Sequence, residues 1–101
     1  MTSPTSPLAP LKIRLYIAGD GPNSLLATRN LKSALERTTG RTIDLEVIDV
    51  VANPERGIAA GIFVTPMLVK LEPAPERRIL GNLQDRVTLL TALGLTEVPV
   101  E

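Results

Sequence analysis

Ser24 closes the string Gly19-Asp20-Gly21-Pro22-Asn23-Ser24. A serine at the mouth of a helix is where a nucleophile could be activated, but nucleophilic catalysis needs a neighbouring base. The chain has no histidine, and no lysine lies close in sequence. Ser24, or Asn23 beside it, therefore reads as a helix cap whose side-chain oxygen accepts a free backbone N–H. The spacing Gly19-x-Gly21-x-x-Ser24 also approaches a dinucleotide fingerprint. It lacks the third glycine, and Pro22 removes an N–H that a pyrophosphate would need, so it reads as a structural turn. Two carboxylate pairs, Asp44 with Glu46 and Asp49 with Glu55, have the residue types for acid/base work or for holding a divalent ion. Residues 44 and 46 share the exposed side of a strand and read as a solvated polar edge. Arg77 and Arg78 are adjacent, so on a strand they point to opposite faces, one free to pair with an acid and the other to reach a partner.

The composition removes most other chemistry. With no cysteine and no histidine, disulfides, thiol nucleophiles, Cys/His metal sites and imidazole catalysis are excluded, and no cofactor is expected. Eleven basic residues balance eleven acidic ones. This neutrality argues against nucleic-acid binding and favours self-association. The aromatic residues are Tyr16 and Phe63, so the core must be aliphatic and little is left for stacking on bases. A chain of 101 residues with 44% apolar composition suffices for one core and is short for two domains. No stretch approaches the roughly 20 apolar residues of a membrane span, and Met1-Thr2-Ser3-Pro4 lacks the pattern of a signal peptide. The expected address is the cytoplasm.

The elements that must position these residues follow from periodicity. Residues 1–10 carry three prolines and two serines and are expected to be a disordered tail; residues 11–95 form the domain, and 96–101 a flexible end. Leu11, Ile13, Leu15 and Ile17 alternate with polar residues, a strand pattern. Ala27, Leu31, Ala34 and Leu35 make one helical stripe, with a stop near Thr39 and Gly40. Ile43, Leu45 and Val47 predict a second strand. Asn53-Pro54-Glu55 opens a short helix, weakened by Gly57 and Gly61. Phe63 through Leu71 reads as a strand entered through Pro66. Residues 77–81 form another, and Asn82 or Asp85 starts a last helix bearing Leu83, Val87, Leu89, Leu90 and Leu93 before Gly94. The predicted order is βαβαββα.

That order, with Thr65-Pro66 opening an apolar strand, resembles a thioredoxin-like domain stripped of its thiols. More specifically, Leu15-Tyr16-Ile17-Ala18-Gly19 before Pro22-Asn23-Ser24, Val47-Ile48-Asp49-Val50 before Asn53-Pro54, Thr65-Pro66, and Pro75-x-Arg77-Arg78-Ile79-Leu80-Gly81 together resemble the KaiB family of circadian clock proteins. The resemblance covers about residues 11–93. It implies a non-enzymatic protein that binds the ring ATPase KaiC and competes with a sensor histidine kinase for the ring. It also implies two folds, an oligomeric resting form (dimer or tetramer) with a rearranged C-terminal half and a thioredoxin-like monomer. Pro66, Pro73, Pro75 and Gly81 mark places where the backbone could be rewritten. By resemblance the partner surface involves Arg29, Arg77 and Arg78. Asp44 and Glu46 stand where cyanobacterial members carry an apolar and a basic residue on the edge facing KaiA, so KaiA binding is doubtful. Two further readings remain: a thioredoxin-like adaptor module for a histidine kinase, and a small enzyme or chaperone-like stress protein using surface carboxylates.

Overall fold

A computed structural model describes residues 9–38 and 41–95. The elements are β1 (Leu11–Ile17), α1 (Pro22–Glu36), β2 (Ile43–Asp49), α2 (Pro54–Ala59), β3 (Met67–Glu72), β4 (Arg77–Leu80) and α3 (Arg86–Leu93), in the predicted order. They build one four-stranded sheet ordered β2-β1-β3-β4. β2 runs parallel to β1 across the α1 crossover, whereas β3 is antiparallel to both β1 and β4.

Strand alternation sends β1 side chains to two different layers. Leu11, Ile13 and Leu15 join Ala27, Leu31 and Ala34 of α1, Leu68 of β3, and Leu89, Leu90 and Leu93 of α3 in the main core. On the opposite face, Tyr16, Ile48, Ile62 and Val69 form a smaller core, packed by Val50 and Ala60. Each fully buried leucine or isoleucine of the main core contributes roughly 1.5–3 kcal/mol. This aliphatic layer is what fixes α1 and α3 to one side of the sheet. Lys70 also stands on the main-core side, paired across the ladder with Ile13 and Arg77, and is 93% buried, with 7% exposure.

Several local expectations are corrected. Pro22 occupies the first helical turn, which makes Gly21 the N-cap, and no side chain caps α1; Ser24 thus falls inside the first turn. Asn53 does cap α2 by position, but its side chain makes no capping bond and instead donates to the Asp49 carbonyl. β3 starts only at Met67, opposite Tyr16, so Phe63 and Val64 lie in an exposed loop. Val87 points to solvent, and Leu83 precedes α3 as a buried residue with φ 61°. Asp85 is the true cap of α3, accepting the Thr88 N–H, and Gly94 closes that helix in the left-handed conformation. α1 ends at Glu36, short of the expected Gly40 stop. Gly40, the first eight residues of the expected tail and the whole 96–101 end lie outside the described residues. Ala9 of that tail is described and accepts a hydrogen bond from Arg41 Nε.

Candidate partner-binding surface

The turns after β1 and β2, the loop before β3 and the loop after β4 meet at one end of the sheet. Asp49, the last residue of β2, accepts the N–H of Gly19 at 3.0 Å and that of Val51 at 2.9 Å through the same oxygen. Those two donors, Gly19 first, hold its carboxyl below the ordinary value of 3.8. Ser24 Oγ accepts the Ala18 N–H at 3.1 Å, and its side chain is buried. Both groups are thereby consumed in holding the first turn. Pro66 is buried at the start of β3, and its carbonyl accepts the Gly81 N–H at 2.9 Å, tying the two loops together. The Thr65–Pro66, Glu72–Pro73 and Ala74–Pro75 bonds are cis, and Gly81 has φ 113°, a conformation that favours glycine. Around this end Val51, Phe63, Val64 and Leu80 are exposed, Phe63 to 88%.

The α2 face carries the strongest electrostatic cluster. Glu46 receives two parallel bonds from Arg56, at 3.2 and 3.0 Å, and lies 3.1 Å from Arg14 Nε. The Arg56 hydrogen bond is the main reason the Glu46 carboxyl sits below its ordinary value, and the same bond raises Arg56. Arg78 donates to the Ala60 carbonyl at 2.7 Å and to Glu76 at 3.3 Å. Between these groups lies an open cleft of about 360 Å³ lined by Arg14, Tyr16, Arg56, Val69, Glu76 and Arg78, among others. Among the described residues no group of acidic side chains gathers that could hold a metal ion.

The structure separates the arginines named by resemblance. Arg29 is exposed on α1, on the side away from the sheet. Arg77 stands on the main-core side beside α3, where it lines a groove with Val87, Thr88 and Thr91. Arg78 lies on the α2 face, so the adjacent pair does split across the sheet as the strand pattern predicts. Asp44 is exposed on the α2 side of β2, whereas Glu46 is half-buried in its arginine pair. Asp49 and Glu55 form no pair, because Asp49 is spent on backbone donors. Sequence reasoning passed over Arg14 and Arg56; their signal was the parallel β1–β2 register that sets Arg14 opposite Glu46, which periodicity alone does not supply.

Similarity to known proteins agrees with this architecture. The family model described as the KaiB domain matches residues 14–95. The circadian clock oscillator protein KaiB of Synechococcus elongatus is 42% identical over 90 residues, covering 89% of this chain and 88% of the relative. That of Prochlorococcus marinus is also 42% identical, over 89% and 76% of the two chains. Among solved structures, the N-terminal domain of Synechococcus elongatus SasA superposes with a TM-score of 0.69 at 28% identity, covering 91% of this chain and 90% of that one. Chloroplastic thioredoxin z superposes with a TM-score of 0.71 at 25% identity, over 84% and 76%. The α/β sandwich is therefore thioredoxin-like, no described helix is long and apolar enough to cross a membrane, and the chain belongs to the KaiB family.

Proposed function

We propose that this protein is a non-enzymatic, protein-binding component of a KaiC-type timing system, and that it binds a KaiC-like ring ATPase in the thioredoxin-like arrangement described above. The observation that carries this reading is a KaiB match across residues 14–95 in a chain with no cysteine or histidine. The fold is shared with thioredoxins, yet the position of their thiol turn is filled by Gly19 to Ser24, where the Gly19 N–H and the Ser24 Oγ are engaged in holding the turn itself.

The fold it shares with the SasA N-terminal domain supports competition with a sensor kinase for one ring, since two domains of the same shape fit the same surface. A resting form with a rearranged C-terminal half is part of the same proposal. Its support is that the elements after β2 are slight: α2 has six residues and β4 four, against fifteen in α1. KaiA capture is disfavoured by Asp44 and Glu46. The deciding experiment is a pulldown with the cognate KaiC-like protein, with and without ATP. Nucleotide-dependent retention supports the proposal; no retention under either condition, with a histidine kinase retained instead, favours the adaptor reading.

A further inference from the structure

The cleft on the α2 face contains more hydrogen-bond donors than the protein itself uses. Arg14 spends its Nε on Glu46 at 3.1 Å, and its two terminal nitrogens meet no acceptor among the described residues. Arg56 gives both terminal nitrogens to Glu46 and keeps its Nε–H. Tyr16 is 96% buried, with 4% exposure, and lines the cleft, yet its hydroxyl makes no hydrogen bond among the described residues. The hydroxyl is not sealed in the core but opens onto the cleft, where it can donate to a bound group. Arg14 and Tyr16 are two apart on β1 and so stand on the same face, about 7 Å from one another along the strand. Arg14, Arg56 and Arg78 stand here with Glu46 and Glu76, and Glu55 acts on Arg56 from the first turn of α2, so what distinguishes the cleft is its spare donors and not a net charge.

We propose that this cleft binds a phosphate monoester, with the phosphoryl oxygens on the free Arg14 nitrogens, the Arg56 Nε–H and the Tyr16 hydroxyl, and the ester's apolar body against Val69, Leu71 and Ala59. Three separate donor groups suit a tetrahedral anion with three free oxygens, and forked arginine donors are the usual phosphate ligands. The volume of about 360 Å³ leaves room for a body beyond the phosphoryl group. The site lies on the face opposite α1 and α3 and shares only Arg78 with the arginines that the resemblance assigns to the partner surface, so a titration of the isolated chain tests it apart from ring binding.

The test is a titration of the isolated full chain with phenyl phosphate, followed by amide NMR, with inorganic phosphate as the second arm. Saturable shifts at Arg14, Tyr16, Arg56 and Val69 are expected, with phenyl phosphate binding more tightly than inorganic phosphate. Tyr16→Phe and Arg14→Gln should each weaken it by roughly tenfold, the loss typical of a hydrogen bond to a charged group. Lys32→Gln, on the exposed side of α1, should leave affinity unchanged. Tyr16→Phe removes one oxygen and keeps the ring, so unchanged affinity in that variant overturns the proposal. So does a parent titration without saturation, or shifts that cluster away from the cleft.

Discussion

Asp49 Oδ1 accepts the backbone N–H of Gly19 at 3.0 Å, across 30 residues of sequence. Because the same oxygen also takes the Val51 N–H at 2.9 Å, the turns that end β1 and β2 share one acceptor. A carboxylate serves here better than an amide, since hydrogen bonds to an ionised acceptor are the stronger ones.

Acid should therefore release this junction. The Asp49 carboxyl is depressed below 3.8 in the fold, mainly by the Gly19 N–H, so its contribution is fully present above that value and is lost as pH falls through the lower folded value. Asp49→Asn should be less stable than the parent at neutral pH, and the gap should narrow under acid. Urea midpoints measured from pH 7 down to below the carboxylate range check this; a constant gap would contradict it.

Glu46→Lys, the change that would supply the basic residue the resemblance places at this position, should loosen α2 before it reaches any partner. It would set a third cation between Arg14 and Arg56, which now share Glu46. Faster hydrogen exchange at 54–60 is the expected readout. Asp44→Ala, at an exposed position, is the cleaner variant for testing KaiA capture and should leave that exchange unaltered.

Gly57→Ala should destabilise in spite of alanine's better helix propensity, which is worth about 1 kcal/mol. A Cβ there would lie 3.0 Å from Val50 Cγ1, and overpacking of this kind costs roughly 1–3 kcal/mol. Combining it with Val50→Ala should recover part of the loss, as a double-mutant cycle in urea would measure.

Binding of a KaiC-like ring should fall about tenfold or more in Arg29→Glu with Arg77→Glu, a loss of more than ~1.4 kcal/mol. Both side chains are exposed and make no ion pair among the described residues, so the melting temperature should hold. Arg78→Glu is expected to act differently, unseating the Ala60 carbonyl contact and lowering stability. Unchanged ring affinity in the double variant would move the surface elsewhere.

Hydrogen exchange in the free protein should be faster in residues 51–94 than in 11–49, given the short α2 and β4 and the exposed loop from Phe63 to Thr65. Uniform protection, and the same fold free and ring-bound, would remove fold switching from the proposal while leaving ring binding intact.

Element order and the main core were legible in the residues because strand and helix periods are local properties of the chain. Leu11, Ile13 and Leu15 against Ala27, Leu31 and Ala34 needed only alternation and the helical stripe. Ser24 was misread as a cap because capping preference was weighed without the stronger rule that Pro22 starts the helix. The length of β3 was overestimated because an apolar run does not say how far partners extend: pairing begins where Tyr16 and Leu80 meet Met67. The Arg14–Glu46–Arg56 cluster was illegible for a related reason, since it depends on strand register and on where α2 lands. What remained of the candidate surface came through family resemblance, and the fold then divided those arginines between two faces.

Lys70 shows how firmly the register of β3 is fixed. It sits among aliphatic side chains on the main-core side of a central strand. A shift of β3 by one residue would reverse its pleat and turn every side chain over. Lys70 would then face the side that already holds Arg14, Arg56 and Arg78, while Val69 would leave the small core. Leu68 would leave the main core in the same step, and the loss of two buried side chains, at roughly 1.5–3 kcal/mol each, is what keeps the ladder in a single alignment.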